Sequence, residues 1–167
     1  MEPSVSRPHM PGYGVVAEND GGGLLAWEWA EERLLGSHDY WLATVRVDEA
    51  RPHVMPVWGV VLDGCLWLSC SPESRKARNL RTNPAVVATT DNPAQPVVVE
   101  GQAVEIHDPV LVVAFAHAMD DKYQSGEGVA FYLANATFAI TPRVVFALDT
   151  DNFIGSPTRW TFGREPS

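Results

Sequence analysis

Ser74, Arg75, Lys76, Ala77, Arg78, Asn79 and Leu80 form an unbroken run whose residue types can bind an anion, with Arg81 directly behind them. A hydroxyl, adjacent cations and the amides of a starting helix are the groups that hold phosphate. The run follows an apolar stretch, 65–70, that reads as a strand. It opens with Ser71 and Pro72, a helix cap and a proline at the first helical position, so a helix is expected over 72–82. At about 100° per residue, Ala77 and Leu80 face inward, Arg75, Arg78 and Asn79 lie opposite, and Lys76 flanks the seam. Four of the twelve Lys and Arg fall in this stretch, although the chain carries a net charge of −9 over 167 residues. A local cationic site in an acidic protein points to a bound phosphate. The competing reading is a solvated basic face.

A second candidate is the segment from Ser156 to Phe162. Trp160 offers a flat stacking surface, and Arg159 a planar fork for an anion or carbonyl. The bland alternative is a terminal strand pinned by two aromatics. No other constellation stands out. His9, His38, His53, His107 and His117 lack metal-ligand spacing, and His53 reads as a hydrogen-bonded strand histidine. Asp120 and Asp121 read as a solvated helix end. Cys65 and Cys70 fall on one strand with their side chains on opposite faces, which prevents a bridge between them. No GxGxxG or Walker motif is present.

Composition narrows the classes. The chain is 20% charged and 46% apolar, ordinary for a globular domain. The acidic balance excludes broad nucleic-acid or anionic-membrane binding, which needs extended basic surface. No apolar run approaches the roughly 20 residues of a membrane span. The N-terminal stretch has no apolar signal core, so a cytoplasmic protein is expected.

The elements that must position these residues begin after a Pro- and Gly-rich stretch, 1–23, that reads as a flexible arm. The remaining residues, 24–167, read as one domain. A helix is expected over 27–35, with Trp27, Ala30, Leu34 and Leu35 as its apolar stripe. Strands are expected over 40–47, 52–62 and 65–70, with Asp63-Gly64 as a hairpin turn. Further strands are expected over 85–91 and 95–107, the latter with a bulge or bend at Gly101. A helix over 108–123 should bury Leu111, Phe115, Ala118 and Met119, and a short helix is expected near 129–135. A strand over 137–150, broken near Pro142, and another over 159–162 complete the list. The result is a mainly β fold with inserted helices, an antiparallel barrel of six or seven strands. The strand over 52–62 is apolar on both faces. One face is expected to fill the barrel and the other to meet a ligand or a second subunit.

Taken in order, Tyr40 to Val45, Pro52 to Trp58, Leu66 to Ser69, the Ser74 to Leu80 run and Ser156 to Trp160 resemble the pyridoxamine 5′-phosphate oxidase-like family of flavin- and deazaflavin-binding split β-barrels. The resemblance covers about residues 25–163, and the Ser-Arg-Lys-x-Arg-Asn-Leu run is its most specific part. The ending Pro-Thr-Arg-Trp-x-Phe is similar to the actinobacterial deazaflavin-dependent branch.

The resemblance implies a homodimer with cofactors at the subunit interface, either FMN or an 8-hydroxy-5-deazaflavin, with the ending favouring the deazaflavin. Ser74, Arg75 and Lys76 would hold its phosphate. Met55, Pro56, Val57 and Trp58 would line the ring, and Ser69 and Ser71 would lie near the ring's polar edge. Arg159 and Trp160 would close the pocket, from the partner subunit in one arrangement. The vitamin B6 oxidases carry a C-terminal arginine pair that has no match here, since Arg159 is followed by Trp160, Thr161 and Phe162, with Arg164 after them. The activity implied is hydride transfer between the cofactor and a small conjugated organic substrate. The alternative is the same barrel holding a cofactor or haem without turnover.

Overall fold

The computed structural model describes residues 3–16, 20 and 22–163. Gly21 of the expected arm and Arg164 lie outside the described residues. Nine antiparallel strands form one sheet, with four α-helices around it. In chain order these are β1 (Ser4–Ser6), α1 (Trp27–Gly36), β2 (Asp39–Arg46), β3 (Arg51–Trp58), β4 (Val60–Leu62), β5 (Cys65–Cys70) and α2 (Arg75–Thr82). They are followed by β6 (Ala85–Thr90), β7 (Val97–Ile106), α3 (Pro109–Tyr123), α4 (Gly128–Ala134), β8 (Ala136–Ala147) and β9 (Thr158–Thr161). The main path runs β1-β9-β8-β7-β6-β2-β3, with β4 and β5 branching from β8.

The branch makes the barrel split. The first half of β8 pairs with β7 on one side and with β5 on the other, Leu66 opposite Ile140 and Leu68 opposite Phe138. Its second half pairs with β7 and β9, Val145 opposite Trp160. The mainly β class with inserted helices holds, and the strand count exceeds six or seven for two reasons. The strand expected over 52–62 breaks at Gly59, where a Cβ would stand 2.8 Å from the carbonyl oxygen of Trp67. The arm also contributes β1, which lies on β9. That arm is tied down where described. Arg7 is 2% exposed, and its Nε and Nη atoms donate to the carbonyl oxygens of Asp20, Gly22, Gly155 and Pro157 at 2.7–3.3 Å.

Two apolar cores result. Leu42, Val57, Leu68, Val99, Phe138, Ile140 and Trp160 fill the barrel, with Ala77 and Leu80 of α2 among them. Outside it, Trp67 and Ala139 of the β5–β8 pair pack against Val112, Phe115, Met119 and Tyr132 of α3 and α4. This second core explains why β5 and the first half of β8 are apolar on both faces. It also changes two expected stripes. The buried face of α3 is Val112, Phe115, Ala116 and Met119, while Leu111 is exposed, because the helix turns its i, i+3, i+4, i+7 row onto Trp67. Leu35 is exposed at the end of α1.

β8 runs through Pro142 as one strand, and the break expected there is a bulge: Arg143 is the extra residue, with Val144 opposite Glu100 and Pro142 opposite Gly101. The ladder shifts register between Glu100 and Gly101, the irregularity expected at Gly101. At Gly101 an added Cβ would lie 2.5 Å from the Thr141 carbonyl oxygen and 3.0 Å from Ile140 Cγ2. Gly101→Ala is therefore expected to destabilise the protein by about 1–3 kcal/mol. Urea unfolding checks this, and a midpoint equal to that of the parent would contradict the close approach.

Candidate functional site

The basic helix starts later than its Ser71-Pro72 signal implies. Ser74 is the N-cap, its Oγ accepting from the Ala77 amide at 3.2 Å, while Ser71, Pro72 and Glu73 form a preceding turn closed by Ser74 N donating to Ser71 O at 2.9 Å. The later start places Arg75 and Lys76 at the first two helical positions. Their amides, which an α-helix leaves without internal partners, lie beside their own cationic side chains.

α2 is held against the barrel by polar as well as apolar contacts. Ala77 and Leu80 are buried as expected. Asn79 is buried too, not solvent-facing, because its Nδ2 donates to Thr44 Oγ1 of β2 at 3.0 Å. Arg81 lies on another side of the helix. Its Nε and Nη2 donate to the Glu105 carboxylate of β7 at 2.7 and 2.6 Å, and its Nη1 to Pro72 O at 2.8 Å. That hydrogen-bonded pairing holds the Glu105 carboxyl below the usual carboxylate range. Arg81 is thereby structural, fastening the turn ahead of α2 to the sheet.

Between α2 and the β2–β3 turn lies a cleft of about 590 Å³, lined by Arg46, Val47, Asp48, Arg75, Arg78, Asn79 and Thr82. Three of the seven lining residues are arginines. Arg46 is partly neutralised by Asp48, bonded to it at 2.7 Å through both Nε and Nη2. Arg46, Val47 and Asp48 have no sequence signal as site residues, since only the β2–β3 register brings that turn to the helix. His53 belongs to the same neighbourhood. It is not the hydrogen-bonded strand histidine expected, because its Nδ1 is buried without a partner among the described residues. Burial, then the charges of Arg75 and Lys76, push its pKa below the ordinary histidine value.

β3 carries the residues expected to line a ring. It is the end strand of the path and pairs by its ladder only with β2. Pro52 and Pro56 explain why: they lack N–H donors, and with a period of two they place Val54 and Trp58 on the same unpaired edge. Of the expected ring-lining residues, Met55 is 43% and Trp58 44% exposed, and Pro56 is also exposed. Val57 is 8% exposed and its side chain belongs to the barrel core, so only its backbone is at hand. Trp58 is stacked on Tyr123 of α3, with ring centroids 4.5 Å apart. On the outward face, Trp41 lies opposite Pro56 and Ala43 opposite Val54, which leaves an exposed apolar strip including Trp41 and Val54.

The remaining expected residues are distributed unevenly. Ser71 Oγ accepts from the Glu73 amide at 3.3 Å, and its O–H is left to donate. Ser69 Oγ donates to Ala136 O at 3.1 Å, so its proton is committed to the β5–β8 pair. Trp160 does not present a stacking surface. It is 2% exposed and packs edge-on against Trp27, with centroids 5.6 Å apart, because β9 turns it into the barrel. Arg159 points to the opposite face, and β8, β7, β6 and β2 separate β9 from β3. With its ring inside the barrel, Trp160 does not offer a face to the β3 site. The described residues contain no group of three or more His, Cys, Asp or Glu able to hold a metal. None of the described helices is long and apolar enough to cross a membrane.

Comparison with known proteins agrees with this architecture. A structure named F420 reductase is 26% identical, with a TM-score of 0.58 over 69% of this chain and 94% of its own. A conserved hypothetical protein from Mycobacterium tuberculosis is 22% identical, with a TM-score of 0.69 over 91% of this chain and 99% of its own. An FAD-binding protein from Mesorhizobium loti is 19% identical, with a TM-score of 0.62 over 83% of this chain and 96% of its own. No curated protein matches the sequence. The family model described as pyridoxamine 5′-phosphate oxidase matches residues 27–153, a span that runs from α1 through β8 and contains β3 and every residue lining the cleft, and the chain belongs to that family.

Proposed function

We propose that the protein is a homodimeric oxidoreductase that holds a phosphate-bearing flavin-type cofactor and moves hydride between it and a small conjugated organic substrate. The observation that carries this reading is the placement of a cationic helix start beside an unpaired, apolar strand edge. Family membership and the likeness to an F420 reductase support it, and that likeness favours a deazaflavin over FMN.

The chain's residues fit such a group at both ends. Arg75 and Lys76 would neutralise the phosphate, with their own amides donating to it. Ser74 accepts from Ala77 with its oxygen, and its O–H, which also has the Cys70 thiol within reach, would turn to donate to the anion. The unpaired edge of β3, from Val54 to Trp58, would meet the polar edge of the ring, while the Met55 side chain covers one of its faces. When bound, a flavin-type ring supplies the hydride chemistry, and the protein's part is orientation, electrostatics and water exclusion. A catalytic acid is not required of such a site. The exposed strip of Trp41, Val54 and Pro56 is the surface on which a second copy would dock. That copy would bring its outward-facing Arg159 to a groove that one chain leaves open.

Two outcomes test the reading. Arg75→Ala and Lys76→Ala should each weaken binding of FMN or the deazaflavin by about 1.5–3 kcal/mol, one lost charge-assisted contact apiece. Equilibrium titration followed by fluorescence measures this, and unchanged affinity in both variants removes the phosphate assignment. Val54→Glu should convert the dimer to a folded monomer, because it places a charge in the docking strip. Sedimentation equilibrium decides it, and a variant that still sediments with the parent's dimer mass places the interface elsewhere.

A further inference from the structure

His53 lies opposite Thr44, on the face of the β2–β3 pair that α2 covers, and Asn79 of α2 donates to that same Thr44 hydroxyl. Its Nδ1 is buried and, among the described residues, without a hydrogen-bond partner. Buried polar atoms are almost always paired, so an exception at a site rich in donors needs a physical cause. The charges that act on the imidazole are both positive, Arg75 and Lys76 at the start of α2. β2 faces it with neutral Thr44. Beyond Lys76, on β5, burial keeps the Cys70 thiol protonated above its ordinary range. No carboxylate among the described residues acts on His53 to offset the two cations. Protonating it in the unliganded protein would place a third positive charge beside the first two. A bound anion reverses that balance, because two negative charges between three cations favour the charged imidazole.

We propose that His53 is a third, proton-linked ligand of the anion at the start of α2. It is neutral in the unliganded protein. When a phosphate group binds, it takes one proton from solvent onto the bare ring nitrogen and donates a charged hydrogen bond. The inference rests on the assignment of α2 as the phosphate site. It adds a residue and a pH dependence that charge pairing by Arg75 and Lys76 alone does not require. Because the imidazolium is favoured only in the complex, the titration midpoint of His53 is higher with anion bound. Binding is then tightest below the midpoint of the unliganded form, weakens by up to about tenfold per pH unit as pH rises between the two midpoints, and levels off above the bound-state midpoint.

The test uses the full chain and sodium sulfate, a phosphate-like dianion whose own charge is constant over about pH 5 to 9, the range in which histidine titrates. The His53 imidazole signals are followed by NMR with and without saturating sulfate, and sulfate affinity is measured by calorimetry at the same pH values. The expected result is an upward shift of the His53 midpoint by about one unit or more. A pH-dependent affinity that His53→Gln flattens is expected with it. If sulfate binds, and Arg75→Ala abolishes that binding, but His53 does not shift and the affinity is flat with pH, the inference falls and the phosphate site stands. If neither sulfate nor FMN binds, or Arg75→Ala leaves binding unchanged, the phosphate site itself falls and takes the inference with it. Should His53→Gln fail to fold, the NMR titration of the parent protein decides alone.

Discussion

The forked pairing of β8 is the constraint on which the rest of the structure depends. One strand of twelve residues serves β7 along its length, β5 at its start and β9 at its end. A strand has only two edges, so serving three partners makes the sheet divide rather than close. The division leaves β3 with a bare edge and opens the barrel beside α2. Two prolines in β3 keep that edge from acquiring a ladder partner of its own. An exposed edge invites aggregation unless something covers it.

Charge is organised on the same plan. The protein is acidic, yet the cations of α2 are concentrated at one cleft and sorted by partner. Arg81 is consumed by Glu105 and Pro72, which frees the helix start from any structural duty toward the sheet. Asn79 and Thr44 fasten the helix to β2 without spending a charge. Arg75 and Lys76 are left acting on His53, and Arg75 also lines the cleft. A field this local attracts one anion without making the whole surface sticky toward nucleic acid or anionic lipid.

The second core gives the site its rigidity. Trp67 and Phe115 stack with centroids 6.1 Å apart, and Phe115 meets Tyr132 edge-on. α3 is thereby fixed, and its last turn reaches the corner between β3 and β4. There Lys122 Nζ donates to Gly59 O at 2.8 Å, and Tyr123 Oη accepts from the Gly59 amide at 2.9 Å. The same Tyr123 stacks on Trp58. The end of the candidate ring-binding strand is held in place by a helix that lies outside the barrel.

Local signals in the sequence determined most of the elements and the basic start of α2. Asp63-Gly64, the alternation in 65–70, Gly101 and the Ser74–Leu80 run each act through neighbours a few residues away, which is why they are readable without a fold. What depends on register was legible only in part. The two-faced apolar character of 52–62 showed that a second surface existed, but not that Val57 turns into the core while Met55 stays at the mouth. Trp160 reads as a stacking platform until β9 is paired with β8, which turns its side chain inward by the strict alternation of a strand. The sequence by itself determined the class of fold, the basic helix and the chemistry that helix can offer. Only the tertiary structure decided which cations remain available, that His53 stands among them without a partner, and which strand edge stays open, because each depends on pairings between residues tens of positions apart.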